Sequence, residues 1–209
     1  MNLEEAVGEL LALASVNNDV ESLSVCKLLM SCDDRGNTLL HHSISKNNLP
    51  QMRTILKLIN DQTERKPAIV NHLFSANDIG ETPLHLAARS NSWAVDDVLK
   101  VVERESSYMS HGTITRLIGA NNDGDTPVIL SGDKGLAVAV NRIFDFIFAN
   151  MKLIGKDQLN EQLEVVKISD RNIDSSVKKG ALKLLKLMFT CNFDWGMILW
   201  IVVITSFYS

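Results

Sequence analysis

Five histidines and three cysteines are the residues of this 209-residue chain best suited to bind a metal or to pair a nucleophile with a base. A metal site needs such ligands at a spacing that brings them to one face. His41 and His42 are adjacent, so on a helix their side chains diverge, and His72 and His111 have no companion at ligand spacing. Cys26, Cys32 and Cys191 form no CxxC pair, and their odd number argues against a disulfide framework, which suits a reducing cytoplasmic setting. A Cys–His couple stays open in principle, because its partners need only meet in space. An enzyme with its site in the C-terminal segment would rest on Cys191 or Asp194. The stretch Gly119-Ala120-Asn121-Asn122-Asp123-Gly124 follows no strand and does not read as a phosphate loop. The expectation is therefore a chain with no catalytic residue, no metal and no cofactor.

The elements that position these residues come from an internal repeat. Asp78-Ile79-Gly80-Glu81-Thr82-Pro83-Leu84-His85-Leu86-Ala87-Ala88 reads as a tight turn and then a helix start, with Thr82 at the N-cap and Pro83 at the first helical position. Displaced by 44 residues in either direction, Gly80 falls on Gly36 and Gly124, and Thr82 on Thr38 and Thr126. Leu73 falls on Leu29 and Leu117, Ala76 on Cys32 and Ala120, Asn77 on Asp33 and Asn121, and Ala87 on Ser43 and Ser131. Asn91 falls on Asn47 and Gly135, all residue types that accept the left-handed conformation used to turn one helix into the next.

The middle copy follows the pattern Asp-x-x-Gly-x-Thr-Pro-Leu-His-x-Ala-Ala-x-x-Gly almost throughout, and in this it resembles the ankyrin repeat. The family period is about 33 residues, so each copy here is longer by about 11. The excess falls within residues 61–72 and 105–116. Leu39 replaces the proline in the first copy, and Ile129 the histidine in the third. The resemblance implies an all-α fold, an ankyrin-type helical solenoid with short turn or hairpin fingers and helical caps. It also implies that His41 and His85 are structural, linking each helix start to an adjacent turn. It covers the three repeats (33–148); the periodicity outside them reads as an N-terminal capping helix pair (1–32), C-terminal capping helices (149–190) and an apolar tail (191–209).

Periodicity fills in the elements. Leu3, Val7, Leu10, Leu11 and Ala14 recur at helical spacing, and Val20 to Met30 forms a second amphipathic run, a helix pair without a preceding finger. An array needs such a cap, because its outermost apolar face must be made polar. Inner helices should run from the threonine caps to about Ser45, Arg89 and Asp133. Outer helices should bury Met52, Ile55, Leu56 and Ile59, then Val95, Val98, Leu99 and Val102, then Val140, Ile143, Phe144 and Ile147. Trp93 is expected to anchor the start of the middle outer helix. The added segments read as extensions of the outer helices that end in surface loops, with Pro67 and Gly112 as breaks, and Cys32 reads as a core position.

Beyond residue 148 the register fails. Gln158 to Val166 and Ser175 to Phe189 read as helices, the second with Val177, Ala181, Leu184, Leu185 and Met188 inward and Lys178, Lys179, Lys183 and Lys186 outward. The apolar run from Met197 to Tyr208 is shorter than the ~20 residues that span a bilayer, and extending it crosses Asp194, at roughly 2.5–3.5 kcal/mol in a bilayer centre. It reads as an element folded against the array, a tail anchor or a truncated end. The acidic N-terminus does not resemble a secretory signal.

With 45 % apolar and 22 % charged residues the chain has globular composition, and a net charge of −4 argues against nucleic acid as a partner. The resemblance implies instead another protein, held by the turn tips and the exposed side of the inner helices. Those positions are Asp34, Arg35, Asn37, Ser45 and Lys46 in the first copy and Asp78, Ile79, Glu81, Arg89 and Ser90 in the second. In the third they are Asn122, Asp123, Asp125, Asp133 and Lys134. The tips are mainly acidic and the helix row carries Lys46, Arg89 and Lys134. The function expected is that of a monomeric, cytoplasmic, non-catalytic interaction module. The alternative is a membrane-attached adaptor using residues 177–209. Small ankyrin proteins with divergent repeats and extra helices also resemble those that intracellular bacteria deliver into eukaryotic hosts.

Overall fold

A computed structural model describes residues 3–16, 23–60, 66–150, 154, 178–180 and 182–183 of the chain. Among them there are ten α-helices, one 3-10 turn and no strand; an isolated antiparallel bridge joins Cys32 to Thr38 at the base of the first turn. The helices are α1 (Leu3–Val16), α2 (Leu23–Leu29), α3 (Leu39–Ser45), α4 (Leu49–Asn60) and α5 (Lys66–Leu73), then α6 (Pro83–Ser90) and α7 (Ser92–Glu105). A 3-10 turn (Ser106–Tyr108) then leads to α8 (His111–Ile118), α9 (Pro127–Asp133) and α10 (Ala137–Ala149). The fold is all-α over the described residues.

Contacts run between counterparts in the 44-residue register. The inner helices α3, α6 and α9 pack in sequence, as do the outer helices α4, α7 and α10, and α2 packs on α5. All twelve outer-helix residues expected in the core are buried. Such side chains contribute roughly 1.5–3 kcal/mol each, so these stripes hold the copies together. On the outer surface Arg53 pairs with Asp97 at 2.7 Å and Arg142 reaches Asp96 and Glu103 at 3.0 and 2.8 Å, linking α4, α7 and α10.

The added segments differ from the expectation of extended outer helices and surface loops. Each ends in a third helix, α5 or α8, with a buried face: Ile69, Val70, Leu73 and Phe74 in one, Ile114, Leu117 and Ile118 in the other. Pro67 and Gly112 lie in the first turns of these helices and do not end them. That is where a missing or unused N–H costs nothing, and Ser110 Oγ caps α8 by accepting from the Thr113 N–H at 3.1 Å. The two additions are tied together by Asn71, whose Nδ2 donates to the Tyr108 carbonyl (3.0 Å) while Oδ1 accepts from the Ser110 N–H (2.8 Å) and the Thr113 hydroxyl (2.6 Å). Buried Glu105 at the end of α7 pairs with Lys66 of α5 at 2.9 Å. In the same register Leu29 of α2 matches Leu73 and Leu117. Among the described residues α1 and α2 thus stand in the register of an outer helix and a third helix.

Other expectations are corrected locally. Trp93 is 69 % exposed while Ala94 and Val95 beside it are buried, so among the described residues it is not the expected packing anchor. Asn47 and Gly135 do adopt positive φ, but Asn91 is extended at φ −168° and caps α7 by accepting from the Ala94 N–H at 2.7 Å. Cys32 is exposed at the finger base and not a core residue.

At the C-terminal side, residues 178–180 and 182–183 are helical and Gly180 packs on the Phe144 ring, where a Cβ would collide with it. Lys183 lies 4.5 Å from the centre of the Phe148 ring, and Lys178, Lys179 and Lys183 are exposed as expected. The helix expected over 158–166, most of that over 175–189 and the apolar tail lie outside the described residues. No described helix is long and apolar enough to cross a membrane.

Candidate protein-interaction surface

Each copy projects a finger made by a five-residue turn. In the middle one the Asn77 N–H donates to the Glu81 carbonyl at 2.9 Å and the Gly80 N–H to the Asn77 carbonyl at 3.0 Å; Asp33–Asn37 and Asn121–Asp125 repeat this. The first turn residue holds its finger from within. Asp33 Oδ1 accepts from the N–H groups of Arg35 and Asn37 (2.9 and 2.8 Å), and Asn77 and Asn121 do the same in their fingers. Burial opposes ionisation of Asp33, but the hydrogen bonds from Asn37 and Arg35 outweigh it and hold the carboxyl below the usual range.

The fingers also bond to one another. The Asp78 N–H donates to the Arg35 carbonyl at 3.0 Å and the Asn122 N–H to the Ile79 carbonyl at 3.1 Å. Gly36, Gly80 and Gly124 all have positive φ, but their surroundings differ. A Cβ on Gly80 would stand 2.9 Å from the Asn122 backbone nitrogen, whereas one on Gly124 meets nothing within 4 Å. Left-handed φ costs a non-glycine residue ~1–2 kcal/mol, and at Gly80 the steric conflict with the next finger is added. Gly80→Ala should therefore lower the melting temperature clearly more than Gly124→Ala, a difference that thermal unfolding of the two variants measures.

Behind each of the first two fingers a threonine and a histidine fasten the inner helix to the next turn and third helix. The Thr38 N–H donates to His41 Nδ1 at 3.1 Å, which leaves the proton on Nε2 to donate to the Glu81 carbonyl at 2.9 Å. The Thr82 N–H donates to His85 Nδ1 at 3.1 Å, and His85 Nε2 reaches the Gly119 carbonyl at 3.0 Å. The threonine hydroxyls donate to the last turns of the third helices, Thr38 to the Leu73 carbonyl and Thr82 to the Leu117 carbonyl, at 3.1 and 3.4 Å. Burial pushes both histidines down to about 4. They are neutral, buried and bonded at both ring nitrogens, and so have no ring nitrogen left to act on a ligand.

The expected binding residues divide into two groups. Asp34, Arg35, Asp78, Ile79, Asn122 and Asp123 are exposed at the finger tips, Ile79 to 54 %. Ser45, Lys46, Arg89, Ser90, Asp133 and Lys134 are exposed at or just after the ends of the inner helices. The rest are drawn inward. Asn37 is half-buried; its Nδ2 donates to Asp33 Oδ2 at 2.9 Å and its Oδ1 accepts from Asn77 Nδ2 at 2.8 Å. Asp125 is half-buried, its N–H donating to Asn121 Oδ1 at 2.9 Å. Glu81, expected at an exposed tip, is 3 % exposed, because its side chain folds back to pair with Arg89 on the inner helix. That pair couples finger to helix row. The only sequence signal for it is opposite charge across the length of α6.

Among the described residues no group of three or more His, Cys, Asp or Glu could hold a metal. Neither the models of known protein families nor the curated proteins give a match to this chain.

Proposed function

We propose that the chain is a non-catalytic protein-interaction module, an ankyrin-type solenoid of three lengthened repeats that holds a partner protein on its finger tips and the exposed ends of its inner helices. The observation that carries this reading is the finger stack itself. Three turns bonded backbone to backbone at a fixed repeat hold acidic tips and the apolar side chain of Ile79 in a pre-organised row, with Lys46, Arg89 and Lys134 on the helices. Pre-organised groups lose little entropy on binding, and mixed charge selects a partner by complementarity. Basic groups of the partner meet the tips, and acidic groups meet the helix row.

The experiment is a pull-down from eukaryotic lysate, chosen because of the resemblance to proteins delivered into such hosts. The full chain is compared with Asp78→Lys/Asp123→Lys. These two carboxylates are exposed, so their reversal tests recognition and leaves the core intact, which reversal of buried Glu81 would not. Affinity for the captured protein should fall roughly tenfold or more. Unchanged capture with a folded variant would remove the tips from the interaction.

A further inference from the structure

The third finger departs from the plan of the second at one atom. Asn77 uses both ends of its amide: Oδ1 accepts from the N–H groups of Ile79 and Glu81, at 3.2 and 2.9 Å, and Nδ2 donates to Asn37 Oδ1 at 2.8 Å. Asn121 repeats the first half, with Oδ1 accepting from the N–H groups of Asp123 and Asp125 at 3.0 and 2.9 Å. Its Nδ2, however, has no partner among the described residues, although Asn121 is only 7 % exposed. In the 44-residue register the acceptor that Asn37 offers Asn77 would be offered to Asn121 by Glu81. Glu81, with its side chain 5 % exposed, lies on Arg89 instead.

We infer that Glu81 is a two-position carboxylate, paired with Arg89 in the free chain and handed over to Asn121 Nδ2 when an acidic group of the partner takes Arg89. The inference rests on the interaction surface proposed above and names the chemistry at its centre: an aspartate or glutamate side chain, or a terminal carboxylate. Three observations combine to support it. The Arg89 side chain is 44 % exposed, so it is open to a carboxylate arriving from solvent, which its planar fork of donors suits. A buried donor without an acceptor is unfavourable, so a carboxylate arriving at Asn121 removes a standing penalty. Glutamate is one methylene longer than the asparagine that spans the corresponding gap to Asn77. Leaving Arg89 does not strand the buried carboxylate, because the receiving donor is already in place.

The test follows the side-chain amide of Asn121 by ¹⁵N NMR in the full chain. With Arg89→Gln, the Asn121 NH₂ signals should move downfield and exchange with solvent several-fold more slowly, while those of Asn77 stay in place. Adding Glu81→Ala should cancel both changes. A blocked Asp-Glu dipeptide titrated into the wild-type chain should shift Asn121 in the same direction. A folded Arg89→Gln variant whose Asn121 amide is unmoved overturns the handover, as does a dipeptide that shifts Arg89 and leaves Asn121 alone. Neither result bears on the finger tips, which the charge-reversed pull-down tests separately.

Discussion

Between pH 7.5 and pH 5 the chain should lose about 4 kcal/mol of stability, roughly 2 from each of His41 and His85. Both folded-state values lie near 4, below the ordinary 6.5, because burial disfavours the imidazolium. The unfolded chain therefore binds protons that the folded chain cannot accept. The contribution is complete above pH 6.5 and is lost as pH falls through the interval down to about 4. The bonds explain why the folded state resists. Nδ1 of each ring is an acceptor for a threonine N–H, and protonating it would turn that bond into a clash of two donors. Asp33 and Asp96, also held low, act in the same sense but only in the more acidic carboxylate range. Lys100 is the largest influence on Asp96; burial opposes it and Arg142 adds to it. Denaturant unfolding at the two pH values measures the loss. His85→Gln should roughly halve the pH dependence. The third copy, with Ile129 in the equivalent place, contributes none of it.

A comparable loss is expected from a single truncation in an added segment. Phe74→Ala should cost about 3–5 kcal/mol. Phe74 comes just after the last turn of α5, is fully buried, and belongs to the same core as the outer-helix stripes. If the added residues were surface decoration, the change would fall near zero. The position matters beyond packing, because the carbonyl of neighbouring Leu73 receives the Thr38 hydroxyl that starts the first inner helix. Loosening α5 should therefore also loosen the finger. Chemical denaturation of the full chain gives the magnitude. Amide exchange at Asp33 to Asn37, the finger that Thr38 follows, then reports whether it opens with α5.

The fingers, inner helices and outer stripes were legible because each carries local chemistry that few other structures need. Glycine at positive φ, threonine at the N-cap and proline at the first helical position mark the turns, and buried residues at three- and four-residue spacing mark the stripes. The third helices were missed because Pro67 and Gly112 read as breaks, although a helix tolerates both in its first turn. A signal was present all the same. The match of Leu29 to Leu73 and Leu117 carries the register back into α2, which makes these segments repeated elements and not insertions. Within the surface, spacing identified the tips but not the inward turn of Glu81, Asn37 and Asp125. Asn37 is drawn in by Asn77 of the next copy and Glu81 by Arg89 at the far end of α6, contacts that local spacing does not show. Trp93 differs for another reason: a large apolar residue beside a helix start suggests packing, whereas the small neighbours Ala94 and Val95 are the ones that face the core.

The proposed interaction surface is tested most directly by site-specific photo-crosslinking in eukaryotic lysate. A photoreactive residue is placed at Ile79 on the central finger tip and, in a second preparation, at Tyr108, which is also exposed but lies in the added segment against Lys66 of α5. The expected result is one protein joined through position 79, absent at position 108, and lost when Asp78 and Asp123 are reversed to lysine. The same protein joined through position 108 and not through position 79 would contradict the assignment and move the binding surface to the added helices.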